Sequence, residues 1–301
     1  MLSRLFDTLL VLLGVTTLVF LLGAVVPGDP VDVMLGERAS AADREALRAE
    51  MGLDRPLAVR WLDYLSGLAH GDMGRSLVRS RPVAELIGER LPATLTLAGA
   101  AFLVVVAIAF PLGMLAALRQ GRWPDHLAGV LALLGQSIPN FWLGPLLVLA
   151  FAIGLGWLPV SGAEAPGSLV LPAITLGTSM AAIGMRMLRA SLLEVMGQDW
   201  MRTALAKGLA PRQALWRHAL PNALLPVVTL LGLQLGGLLG GAVITEVVFA
   251  WPGIGSLLVD AIAQRDYPLM QGVVLVIACG YVLLNGLTDL LVAWLDPRAA
   301  R

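Results

Sequence analysis

Cysteine occurs once in the 301 residues, at Cys279, inside an apolar run. That excludes an intramolecular disulfide and any cluster built from cysteine. Lysine also occurs once, at Lys207, and the next residue is Gly208 rather than serine or threonine. A Walker A loop needs a Gly-Lys-Ser/Thr step to hold phosphates, so the chain carries no such ATP site. The three histidines, His70, His126 and His218, fall in separate loops, and no His-Glu-x-x-His zinc motif appears. The Gly-x-Ser-x-Gly frame of a nucleophile elbow is missing too. No metal site is expected. Charge itself is scarce: charged residues make up 14% of the chain against 57% apolar, with a mean hydropathy of +0.80. A soluble domain of this length has far more charge. The formal net charge is zero, which offers nothing to nucleic acid.

Long apolar runs are what the chain has instead. The first, Thr8 to Gly28, is longer than the apolar part of a signal peptide, and Val25-Val26-Pro27 is not a small-x-small cleavage site. It is expected to remain as a transmembrane helix. Five more runs follow, the second interrupted by Pro111-Leu112-Gly113. Six spans are predicted, near 8–27, 93–118, 127–153, 169–188, 222–246 and 268–290, in one all-α integral membrane domain over 1–301.

The 28–92 region is the one long polar stretch, with nine arginines and eleven acids over 29–90. Ser40 with Asp43 predicts a helix through Glu50, and Pro56 opens a second. Leu57, Trp61, Leu65 and Leu68 form its apolar stripe, which places Trp61 and Tyr64 at lipid headgroup level. Orientation follows from basic residues in short loops. One side collects Arg4, Arg119, Arg122, Arg186, Arg189, Arg202, Lys207, Arg212, Arg217, Arg298 and Arg301; the opposite short loops, 154–170 and 249–268, hold only Arg265. Both termini are therefore expected on the cytoplasmic side, with 28–92 outside and 189–221 inside.

Within that inner loop, Asp199 to Pro221 reads as two short helices around a glycine. Asp199 suits an N-cap. Met201, Ala204, Leu205 and Gly208 share one helical face. Gly208 suits a left-handed helix end, Pro211 the first turn of a second helix, and Pro221 the start of the next span. A cationic hairpin with a small-residue face fits docking onto another protein; it equally fits an ordinary orienting loop.

Polar residues inside the apolar runs are the candidates for a transport pathway. Gln136, Ser137 and Asn140 flank Pro139 in the third run, where irregular backbone is tolerated only in protein or beside a wet cavity. Gln234 lies in the fifth run, among Gly232, Gly236, Gly237, Gly240 and Gly241, whose spacing lets backbones approach. Glu246 lies at its outer end and Asp289 closes the sixth, both near a boundary that also suits an interfacial charge. Trp251-Pro252-Gly253-Ile254-Gly255 reads as a turn cluster folding back on the outer face.

The 199–221 stretch resembles the EAA motif of the permease subunits of ABC importers: Glu-Ala-Ala, three residues, Gly, nine residues, Ile, one residue, Leu-Pro. Ala204, Gly208 and Leu220-Pro221 match at the right spacing. Arg202, Thr203 and His218 depart from the general pattern and look like the form found in dipeptide, oligopeptide and nickel permeases. Further fragments match in order: Pro27-Gly28-Asp29-Pro30, Gly52-Leu53-Asp54, Arg90-Leu91-Pro92-Ala93-Thr94, Ser137 to Trp142, Phe249 to Gly255, Arg265-Asp266-Tyr267-Pro268 and Asp296-Pro297-Arg298. The chain looks like the first permease of a pair in that family.

The resemblance implies a type I ABC importer permease in the bacterial inner membrane, carrying di- or oligopeptides, with nickel chelates or glutathione as alternatives. It implies a second permease, two ABC ATPases that bind ATP and magnesium, and an extracytoplasmic substrate-binding protein, with no cofactor on this chain. It makes the hairpin the coupling helix, docking through Asp199, Arg202, Thr203, Ala204, Lys207, Gly208, Leu209, Leu220 and Pro221. An ion-coupled carrier is the alternative of another class, and it needs ionisable groups near mid-membrane.

Overall fold

The computed structural model describes residues 2–25, 30–36 and 40–295. Pro27-Gly28-Asp29, Asp296-Pro297-Arg298 and Arg301 lie outside the described residues. The helices in order are α1 (Leu2–Val25), α2 (Pro30–Leu35), α3 (Ala41–Glu50), α4 (Leu57–Ala69), α5 (Val83–Leu118), α6 (Trp123–Ser137), α7 (Asn140–Leu147), α8 (Val170–Met196), α9 (Asp199–Ala206), α10 (Pro211–Ala214), α11 (Leu220–Val248), α12 (Ile254–Ala263) and α13 (Tyr267–Leu295). Two π-helical segments, Val148–Gly154 and Leu215–Ala219, extend α7 and join α10 to α11. The only extended pairing among the described residues is a bridge between Arg75 and Pro82.

Among the described residues, four helices are long and apolar enough to cross a membrane: α5, α8, the run Pro211–Gly240 and α13. The third predicted span, 127–153, is not one helix. It is a pair, Trp123–Ser137 and Asn140–Gly154, bent by 107°. Pro139 cannot donate to the helix ladder, and its ring pushes Ile138 out of helical geometry, to φ −84° and ψ 116°. α1 is 24 residues long, with Leu9–Leu21 as its apolar core. Pro111-Leu112-Gly113, expected to interrupt the second span, leaves α5 continuous over 36 residues.

The described residues form two units. The first takes those up to Thr94 together with Pro252–Gly280, and the second takes Leu95–Trp251 together with the stretch from Tyr281.

In the first unit α3 begins as expected. Ser40 Oγ accepts from the Asp43 amide and the Asp43 carboxylate accepts from the Ser40 amide, closing a capping box. α4 lies against α1. Trp61 Nε1 donates to Thr17 Oγ1 at 3.2 Å, and Tyr64 stacks on Phe20 with ring centroids 5.7 Å apart. These aromatics therefore pack on α1. Burial pushes the Tyr64 hydroxyl up to about 12, so the ring stays neutral against that apolar face.

The 249–268 segment, expected as a short loop, contains α12. Ile254, Leu257 and Ala261 of α12 are buried with Val83, Leu86 and Ile87 of α5 and Leu269 and Val273 of α13. Asp266, only 1% exposed, ties this unit together. Its carboxylate accepts from Ser76 Oγ, from the Leu77 amide at 3.1 Å and from the Leu269 amide at 3.4 Å. It thus caps α13 and anchors the 71–81 loop. Asp266→Ala leaves those donors unmatched and is expected to cost about 2–3 kcal/mol. Limited proteolysis checks it: cleavage in 71–81 should accelerate, while Asp266→Asn, which keeps an acceptor, lies between.

The second unit is built around α8, whose buried residues run from Leu171 to Leu192. Glycines set its contacts. A Cβ on Gly177 would lie 2.7 Å from the Ala101 carbonyl oxygen of α5, and one on Gly184 would lie 3.0 Å from Leu231 of α11. Across α11, Gly232 meets Thr288 and Gly236 meets the Tyr281 ring of α13, whereas Gly237 and Gly240 face open space.

Arg186 and Arg189, counted above as loop cations, lie inside α8, which runs on to Met196. Arg189 forms a two-pronged pair with Asp125 of α6, at 2.6 and 2.7 Å. The Asp125 side chain is 8% exposed, and the Gly121 amide also donates to it.

Candidate functional site: a cationic hairpin and a polar helix break

α8 ends where the Gly197 amide turns back to the Leu193 and Glu194 carbonyls. The N-cap of α9 is Gln198 rather than Asp199, and it offers no side-chain bond. Asp199 instead occupies the first turn, where its charge meets the positive helix end and lies 3.6 Å from Arg202. Gly208 takes φ +90°, the left-handed geometry expected at the helix end, and its amide bonds the Leu205 carbonyl. Pro211 opens α10 as expected.

The second hairpin helix is not separate from the next span. α10 passes through the π-helical Leu215–Ala219 segment straight into α11. Pro221 has no N–H to return to the ladder, and a widened turn accommodates that loss. Asn222 Nδ2 donates to the His218 carbonyl at 2.7 Å.

One face of the hairpin is fixed to its own chain. Met201, Ala214, Leu215 and Ala219 are buried with Leu192 of α8, Ala117 of α5 and Ala223 of α11. The opposite face is open. Asp199, Arg202, Thr203, Lys207, Gly208 and Pro221 are exposed, Ala204 and Leu209 are half-buried, and Leu220 is buried. Leu220 therefore holds the hairpin in place and presents no surface.

Three large apolar side chains also stand out among the cations: Trp200, Leu205 and Trp216, at 42%, 41% and 53% exposure. Leu205 shares the Met201 face by helical spacing but is not buried with it. α9 is only eight residues long, and the cluster beneath it covers Met201 but not Leu205. The two tryptophans were not singled out from the sequence. Bulky aromatics beside arginines in a loop were the available signal, since such residues favour interfaces.

The pathway candidates do not converge on one point. Gln136, Ser137 and Asn140 gather at the α6–α7 break, and Gln136 Oε1 accepts from Arg186 Nη2. Ser137 is exposed and Asn140 half-buried. Gln234 is half-buried and Glu246 fully buried, both on α11, about 18 Å apart by helical rise. Glu246, expected near a boundary, is thus enclosed by protein. Among the described residues, no group of three histidine, cysteine or acidic side chains is placed to hold a metal ion.

Two family models match the chain. Residues 1–98 match the N-terminal part of binding-protein-dependent transport membrane components, and 109–301 match the binding-protein-dependent transport system inner membrane component. The glutathione transport system permease protein GsiC of Escherichia coli K12 is 42% identical over 295 residues, covering 98% of this chain and 96% of that protein. The dipeptide transport system permease protein DppB of the same strain is 42% identical over 318 residues, covering 95% and 94%. Among solved structures, the MetNI methionine ABC transporter in an inward-facing conformation aligns with TM-score 0.60 at 20% identity, over 71% of this chain and 97% of that one. An amino acid ABC transporter aligns with TM-score 0.52 at 16% identity, which speaks for the fold alone. With its motifs, helices and relatives in agreement, the chain belongs to the binding-protein-dependent transport family and is an inner-membrane permease component of an ABC importer.

Proposed function

We propose that this permease pairs with a second, homologous one to import di- and oligopeptides, glutathione among them, at the expense of ATP. Two separate ATPase subunits bind ATP and magnesium, this chain binds neither, and an extracytoplasmic binding protein delivers the cargo. The likeness to a dipeptide and a glutathione permease supports the cargo class. In this reading α1, α5, the broken α6–α7 pair, α8, α11 and α13 are six spans. Both termini and the α9–α10 hairpin face the cytoplasm, where the basic short loops collect.

The observation that carries the reading is the hairpin itself. Met201 locks it to α8 and α5, while Arg202, Thr203, Lys207 and Gly208 are presented outward. It can transmit a push from a bound ATPase directly to α8 and to the continuous α10–α11 run. ATP-driven closure then switches the shared cavity between inward- and outward-facing states.

Affinity purification of the tagged chain from its native membrane tests this. The second permease and two nucleotide-binding chains should come with it, and peptide plus binding protein should stimulate ATP hydrolysis in vesicles. A chain that purifies alone, and moves peptide on a proton or sodium gradient without ATP, would sink the proposal.

A further inference from the structure

Arg186 and Arg189 are neighbours on α8 but meet very different surroundings. Arg189 is neutralised by Asp125, in the first turn of α6. Arg186 extends the other way, to Gln136 near the far end of α6. Eleven residues separate Asp125 from Gln136, about 16 Å of helix. Gln136 lies nine residues past the start of the third span at 127, so on the six-span reading the guanidinium it holds lies within the hydrocarbon layer. It is exposed, and among the described residues no carboxylate lies within ion-pair distance of it. A pocket of about 440 Å³ opens beside it, walled by Gly129, Val130 and Leu133 of α6 and, at its other end, by His126 and the Asp125–Arg189 pair, whose charges cancel.

An unpaired cation at that depth is not stable against lipid tails, so it faces a wet cavity. A guanidinium fork held from one side by an amide oxygen leaves its remaining donors for a planar anion. We propose that Arg186 is the anion-binding residue of the transport pathway and takes the C-terminal carboxylate of the passing peptide. Gln136 is its positioning residue. The inference rests on the peptide-importer reading above. Gln136 is neutral, so it orients the guanidinium without cancelling its charge.

The test uses the complete importer in vesicles, with Cys279→Ser as background. The probe is radiolabelled dialanine, beside its C-terminal amide. Arg186→Cys should lower uptake of the free acid by about tenfold or more, the usual scale for a lost charge-assisted bond, and leave amide uptake unchanged. A water-soluble, positively charged thiol reagent should restore acid uptake, and a negatively charged one should not.

If neither reagent reaches the thiol introduced by Arg186→Cys, the proposal is overturned, since the position would then face lipid or a partner. Equal losses for acid and amide overturn it as well. If the background importer does not move dialanine with ATP, it is the importer reading that fails, and the loss is visible before any Arg186 variant is made.

Discussion

Gly208→Trp is expected to lower ATP-driven peptide uptake at least about tenfold while leaving the membrane-embedded part folded. The size follows from placing bulk at the centre of a docked surface, where single residues are worth about 2 kcal/mol or more. Two features of Gly208 make it the right probe. Apart from its own chain neighbours, no described atom lies within 4 Å of where a Cβ would stand, so on the proposed docking a side chain there meets the ATPase subunit and not the permease. Its φ of +90° is a conformation that other residues adopt only with strain. Gly208→Ala separates the two causes: it carries the backbone strain, about 1 kcal/mol, without the bulk. Uptake and ATP hydrolysis are measured together in vesicles. The tryptophan variant should hydrolyse ATP without responding to peptide and binding protein, while its thermal midpoint in detergent stays near wild type. Intact uptake in that variant would mean that no partner seats on this turn.

The second large effect is on assembly of the helices. Gly177→Val is expected to destabilise the permease by about 3 kcal/mol or more, the scale of overpacking that only backbone movement can relieve. A Cβ at Gly177 would stand 2.7 Å from the Ala101 carbonyl oxygen and 3.3 Å from Val104, so no rotamer change removes the clash. The same two helices meet again where Gly113 of α5 faces the Met185 carbonyl, at 2.9 Å for an added Cβ. Gly237→Val on α11 is the control, since it faces open space within the chain. Denaturation in mixed micelles should rank the two, with Gly177→Val far below wild type and Gly237→Val close to it. In the assembled importer Gly237→Val is also informative: a loss of co-purifying permease there would place the second subunit against α11.

Much of this molecule was legible in its residue order because the bilayer reduces the choices. Apolar runs of about 20 residues have few options but to become helices, since unpaired backbone groups are not tolerated in hydrocarbon. That identified α5, α8, α11 and α13. The hairpin was legible for a different reason: Gly208, Pro211 and Pro221 each impose a local backbone geometry that needs no distant partner. The capping box at Ser40 and Asp43 is local in the same sense.

Where the sequence reading departed from the structure, the deciding contact was distant in the chain. The third run was read as a single span, 127–153, but the chain bends by 107° at Pro139, where α6 and α7 each pack against α8. Pro111 looked like another break, yet the contact of Gly113 with α8 accompanies a continuous α5. Trp61 and Tyr64 had the amphipathic spacing of a membrane-surface helix, and only Thr17 and Phe20 revealed what they lie against. Arg186 and Arg189 read as loop cations because charge ended the apolar run; Asp125 and Gln136 on α6 gave the helix reason to continue.

By itself, the order of residues determined that this chain is a helical membrane permease with a cationic hairpin and no Gly-Lys-Ser/Thr step. Those properties arise from hydrophobic length, local turn chemistry and motif spacing. The tertiary structure alone decided which face of the hairpin is locked and which is free, which arginine is neutralised and which is not, and which glycines are contact points. Each of those depends on partners far away along the chain, and a pattern read in residue order carries no information about what packs across it.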